Sequence, residues 1–137
     1  MPEHETLMAE ARQARAAGRV DLAHATYARA ALAARDAGAP IAVADALRHL
    51  SDLDREAGRP TPALAAAQEA VALYRARADA PRLSLANALR QTALALEALG
   101  RPALDAWREA GDLYAELGVE AGVTEAEHHL GVTRRPR

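Results

Sequence analysis

Apolar residues recur along this chain at three- and four-residue steps and nowhere alternate over a sustained stretch. Leu47, Leu50, Leu53 and Ala57 make one stripe, Leu85, Leu89, Leu96 and Leu99 a second, and Leu64, Val71 and Tyr74 a third. Such spacing collects apolar side chains on one face of an α-helix, whereas a half-buried strand would alternate at every residue. The pattern therefore predicts an all-α protein, with helices over residues 5–17, 20–37, 41–57, 61–78, 82–99, 103–117 and 120–132.

The polar punctuation between these stripes repeats. Gly18-Arg19, Gly58-Arg59-Pro60 and Gly100-Arg101-Pro102 recur at separations of 40 and 42 residues (18 to 58, 58 to 100), the mark of a repeat architecture. Ala44-Asp45-Ala46-Leu47-Arg48 matches Ala86-Asn87-Ala88-Leu89-Arg90, and the run Gln68 to Tyr74 resembles Arg108 to Tyr114 at a shift of 40. A mid-unit Gly suits a left-handed helix end, and the boundaries Gly38-Ala39-Pro40, Asp79-Ala80-Pro81 and Gly118 separate the units. The expected organisation is one domain over 1–137, with repeats at about 5–38, 39–79 and 80–118, a half repeat at 119–133 and a tail at 134–137. Antiparallel helix pairs, each burying its stripe on the next, build an α-solenoid.

Within that frame the residues resemble tetratricopeptide repeats. Leu50-Ser51, Leu130-Gly131 and Thr92-Ala93 occupy the Leu-small site of first helices, while Ala23-Tyr27-Ala30, Ala63-Ala67-Ala70 and Ala103-Trp107-Ala110 match the Ala-large-Ala spacing of second helices. The unit is longer than the common one of about 34 residues, and Ala14, Asp54 and Leu96 stand where an aromatic is expected. In its longer unit, and in its pattern of Ala, Leu, Leu-Gly and turn Gly, the chain is similar to the long-repeat kinesin-light-chain and LGN-like subgroup. The resemblance implies a right-handed superhelix whose first helices line a concave groove that binds a protein or peptide.

Composition narrows the function classes. Half of the residues are hydrophobic but only 3% are aromatic, so Ala and Leu dominate, as helices favour. Every basic side chain is Arg, and the formal net charge is only -2, a balance that argues against nucleic acid as partner. Cysteine is absent, which removes thiolate nucleophiles and Cys-ligated metals. No apolar run of membrane-spanning length and no secretory pattern is present, so no membrane partner and a cytoplasmic location are expected.

Aligning the first helices on Leu50, Thr92 and Leu130 stacks the candidate groove residues in four rows. These are Asp45, Asn87 and Glu125; Arg48, Arg90 and His128; His49, Gln91 and His129; and Asp52, Leu94 and Val132, with Glu5, Met8, Ala9 and Arg12 in the first pair. Arg48 and Arg90 in one row would present two guanidinium forks suited to a carboxylate-bearing partner. The competing reading pairs Arg48 with Asp45 and Asp52 on its own helix, a solvated face without a ligand. Two neighbouring histidines diverge by about 100° on a helix, so His128 and His129 are not expected to chelate one metal. Trp107 and the three tyrosines are expected to fill the core. Without a nucleophile elbow or a phosphate loop no enzyme is expected, and no cofactor. The expected function is a peptide- or protein-binding scaffold. A self-assembling homodimer through the terminal helices stands as the alternative, and a small-ligand or signalling-peptide sensor stands below it.

Overall fold

A computed structural model of the protein describes residues 1–131. Seven α-helices follow one another: α1 (Glu3–Ala16), α2 (Val20–Asp36), α3 (Pro40–Glu56), α4 (Pro60–Arg75), α5 (Arg82–Ala98), α6 (Leu104–Glu116) and α7 (Glu120–Leu130). Each packs chiefly on the helices before and after it, and α3 also touches α5. The architecture is an all-α helical-repeat solenoid. Val132, the rest of the expected last helix and the tail 134–137 lie outside the described residues.

Short turns are possible because most helices end in the same way. At Gly58 the backbone turns left-handed, with φ +77°. The Gly58 amide then donates to the Arg55 carbonyl at 3.0 Å and the Arg59 amide to the Asp54 carbonyl at 2.7 Å. This is a Schellman cap, in which a residue without Cβ lets the chain satisfy its last carbonyls and reverse within three residues. Pro60 opens the next helix, where its missing amide hydrogen costs nothing.

Two expected boundaries move. Helix α4 was expected to reach residue 78 but ends at Arg75, and a six-residue connection, 76–81, leads to α5; no Gly is present there to build the tight cap. Gly131, expected inside a helix that ran to 132, is left-handed with φ 72° and closes α7 at Leu130. It therefore acts as a helix stop and not as the small residue of a Leu-small pair.

The core is built from small residues beneath a few large ones. Ala23, Ala30, Ala63, Ala67, Ala70 and Ala110 are fully buried, and Tyr27 and Trp107 fill the space that the alanines leave between helices. Tightest of all is the α6–α7 seam. A Cβ added to Gly122 would sit 2.4 Å from the Tyr114 ring, and one added to Gly111 would sit 2.9 Å from the Ala126 Cβ. On the second-helix side, Arg35 pairs with Glu69 at 2.7 Å and Arg75 with Glu109 at 2.5 Å, one ladder repeated from α2 to α4 to α6.

Candidate functional site

The first helices α1, α3, α5 and α7 are tied to one another by polar side chains, several of them from the expected rows. Arg15 of α1 meets Glu56 of α3 at 3.1 Å, Gln91 of α5 donates to Asp52 of α3 at 3.1 Å, and His129 of α7 meets Glu97 of α5 at 2.9 Å. Arg90 grips Glu125 with two bonds, one of them Nη2 to Oε2 at 3.1 Å. The bond to Arg90 is the first cause that holds the Glu125 carboxyl below its usual range.

The row of Asp45, Asn87 and Glu125 is served from behind by second-helix tyrosines. The buried Tyr74 hydroxyl donates to Asp45 at 2.5 Å and accepts a long bond from Arg48 Nε at 3.4 Å, while Tyr114 donates to Asn87 at 2.6 Å. Burial first, and for Tyr74 then the bond to Asp45, raises the phenol pKa, so both remain donors. These tyrosines belong to the core, as expected, but their hydroxyls also set the groove row. The first repeat has Ala34 where the second and third have Tyr74 and Tyr114, so Glu5 receives no such donor.

The row of His49, Gln91 and His129 lies against the large residue of the preceding second helix. His49 stacks on Tyr27 with ring centres 4.7 Å apart, and His129 on Trp107 at 4.0 Å. Where that second-helix residue is Ala67, the row residue is the buried amide Gln91. Both aromatic rings act as packing surfaces, since neither the Tyr27 hydroxyl nor the Trp107 indole nitrogen has a hydrogen-bond partner among the described residues. Burial first, then the charges of Arg48 and Arg15, lowers the His49 pKa to about 4. Asp52 opposes that shift and Arg12 adds to it.

The two expected arginine forks are thus not equivalent. Arg90 is neutralised by Glu125, whereas among the described residues Arg48 bonds the Tyr74 hydroxyl and no carboxylate. The expected pairing of Arg48 with Asp45 and Asp52 on its own helix is not what forms. Asp45 takes the Tyr74 hydroxyl, and Asp52 takes Arg55 at 3.2 Å together with Gln91. Leu94 is half-buried against the cluster of Ala93, Ala103, Trp107 and Ala126, so it belongs to the packing and not to the open face. His128 is exposed and meets only the edge of His129, with ring centres 5.7 Å apart.

Among the described residues, grooves open on this face in two matching positions. One, of about 460 Å³, lies between α1 and α3 and is lined by Glu5, Met8, Ala9, Arg12, Ile41 and Asp45 among others. Its counterpart between α5 and α7, of about 440 Å³, is lined by Leu83, Asn87, Arg90, Tyr114, Gly122 and Glu125 among others. All four residues assigned to the rows from the first helix, Glu5, Met8, Ala9 and Arg12, line the first groove.

Among the described residues no three His, Asp or Glu side chains converge as metal ligands would. Ser51 is buried and its hydroxyl donates to the Ala63 carbonyl at 2.8 Å. No helix among the described residues is long and apolar enough to cross a membrane. Neither a family model nor a curated protein matches the chain.

Proposed function

We propose that the chain is a protein- or peptide-binding scaffold of the tetratricopeptide kind, working through the face shared by α1, α3, α5 and α7. The observation that carries this reading is the open groove between α1 and α3, on a face whose helices are tied to one another. Its lining joins Met8, Ala9 and Ile41 to the charges of Glu5, Arg12 and Asp45, and neither Arg12 nor Arg48 of the same face has a carboxylate partner among the described residues. On the second-helix side charges pair along a ladder, and clefts open there as well. Charge kept beside an open apolar groove is the chemistry of a recognition surface.

The four helices of this face are held in register by bonds that cross from one to the next, so the surface exists before a partner arrives. Preorganisation of that kind reduces the ordering cost of binding. A photo-crosslinking side chain placed at Arg48 and, separately, at the exposed Leu32 on α2 tests the reading in lysate of the native cell. Adducts formed from position 48 and absent from position 32 are expected. Adducts from position 32 alone, or none from position 48, would overturn it.

A further inference from the structure

The two grooves occupy the same register but differ in electrostatic state. Between α5 and α7, Arg90 and Glu125 neutralise each other across the opening, and Tyr114 occupies Asn87. Between α1 and α3 Tyr74 occupies Asp45, but among the described residues no ion pair crosses the opening. Arg12 is exposed and makes no ion pair among the described residues, Arg48 follows one turn after Asp45, and Glu5 lies at the opposite end of the groove with neither a tyrosine nor an arginine bonded to it.

The lining also includes the apolar Met1, Met8, Ala9, Ile41 and Ala42, together with His4 and Asp45. Glu5, Met8 and Arg12 lie on one stripe of α1, and seven residues of helix separate the end charges by about 10 Å along the axis. An extended chain covers that distance in about three residues.

We propose that the α1–α3 end of the shared face holds an extended peptide segment carrying an acidic side chain at Arg12, an apolar side chain over Met8 and Ala9, and a basic side chain at Glu5 and Asp45. This rests on the scaffold reading above and gives it a ligand class and a location. The charge of Arg48, like that of Arg12, bears on the neighbouring His49. The guanidinium groups supply charge-assisted hydrogen bonds to the acidic group. The groove volume suits one Leu, Ile or Met side chain with its backbone. Opposite charges at the two ends fix the direction in which the segment lies and reject its reverse.

The test uses the full chain and a positional-scanning library of fluorophore-labelled heptapeptides, read by fluorescence anisotropy. Pools with Leu, Ile or Met flanked by Asp or Glu on one side and Lys or Arg on the other are expected to bind. Reversal with Arg12→Glu and Arg48→Glu should weaken those pools by at least about tenfold, which is about 1.4 kcal/mol, and shift the preference at the acidic position towards Lys and Arg. The exchanged pair Arg75→Glu with Glu109→Arg on the second-helix side should leave binding unchanged, and the exchanged pair Arg90→Glu with Glu125→Arg reports whether the α5–α7 groove is the one that binds. Circular dichroism monitors folding, and the single variants Arg12→Gln and Arg48→Gln replace the reversal should it unfold the chain.

Three results separate the outcomes. Pools that bind with the stated preference and lose it on reversal support the inference. Pools that bind with another preference, or that respond at Arg90 and Glu125 but not at Arg12 and Arg48, overturn the inference and leave the scaffold reading standing. Failure of every pool to bind, together with no adduct from position 48, overturns both.

Discussion

At the residue scale, a histidine's environment determines what it does. His49, His128 and His129 all fell on the expected rows, yet only His128 is exposed; His49 and His129 are stacked on Tyr27 and Trp107. His49 is held neutral by burial and by the arginines around it, with a pKa near 4 against an ordinary 6.5. A histidine whose folded pKa lies below its unfolded one binds fewer protons in the folded state. Its contribution to stability is therefore complete above about pH 6.5 and is lost progressively as the pH falls towards 4, by about 1–3 kcal/mol. The variant His49→Gln, which copies Gln91 of the next repeat, should lose that part of the pH dependence. Urea midpoints at pH 7.5 and pH 5.0 check this: wild type should fall further than the variant between the two, and parallel decreases would show that His49 does not titrate with unfolding. The rows themselves were legible because repeat alignment needs only spacing. The stacking was not, since it joins a second helix to the following first helix, and only the pairing of Tyr27 with His49, Ala67 with Gln91 and Trp107 with His129 carries the signal. Arg90 was misjudged for the same reason: its partner Glu125 is 35 residues away on another helix.

At the element scale, the helices follow from local chemistry that the sequence displays openly. Gly18, Gly58 and Gly100 mark left-handed caps, and apolar stripes mark the faces between them. The end of α4 was misplaced because its stop is not a glycine; helix continues past Tyr74 until nothing packs against it. Gly122 is of another kind, a helix-interior glycine whose purpose is close approach and not a turn. No local rule distinguishes it from a tolerated weakness, since the Tyr114 ring that requires it belongs to a different helix. Ala has the higher helix propensity by about 1 kcal/mol, yet a methyl group 2.4 Å from the ring forces α6 and α7 apart. Gly122→Ala should therefore destabilise the protein by about 1–3 kcal/mol, measured by thermal or urea unfolding. The same change accompanied by Tyr114→Ala should cost little beyond Tyr114→Ala alone, a coupling that a double-mutant cycle detects. An increase in stability from Gly122→Ala would mean that the α6–α7 seam is looser than described.

At the scale of the whole molecule, a helix of a solenoid that keeps a repeat's interior face without a neighbour to cover it invites another copy. In the second and third repeats the first helix offers Ala44 with Leu47 and Ala86 with Leu89 towards its own second helix, and all four are buried. At the corresponding positions α7 carries Thr124, which is exposed, and Glu127, which is half-buried. The interior pattern of the earlier first helices is thus broken on α7, which weakens apolar stacking on that face. The wild-type chain should accordingly sediment as a monomer at concentrations where hydrophobic pairing would show. Restoring the interior pattern with Thr124→Ala and Glu127→Leu should create an apolar stripe joined to the half-buried Val123 and Leu130 and drive association between copies. Sedimentation velocity over a concentration series decides it: a dimer or larger species from the double variant alone supports Thr124 and Glu127 as what keeps α7 from pairing. A wild-type dimer would instead favour pairing through α7 as it stands, and a monomeric variant would show that these two side chains are not what prevents it.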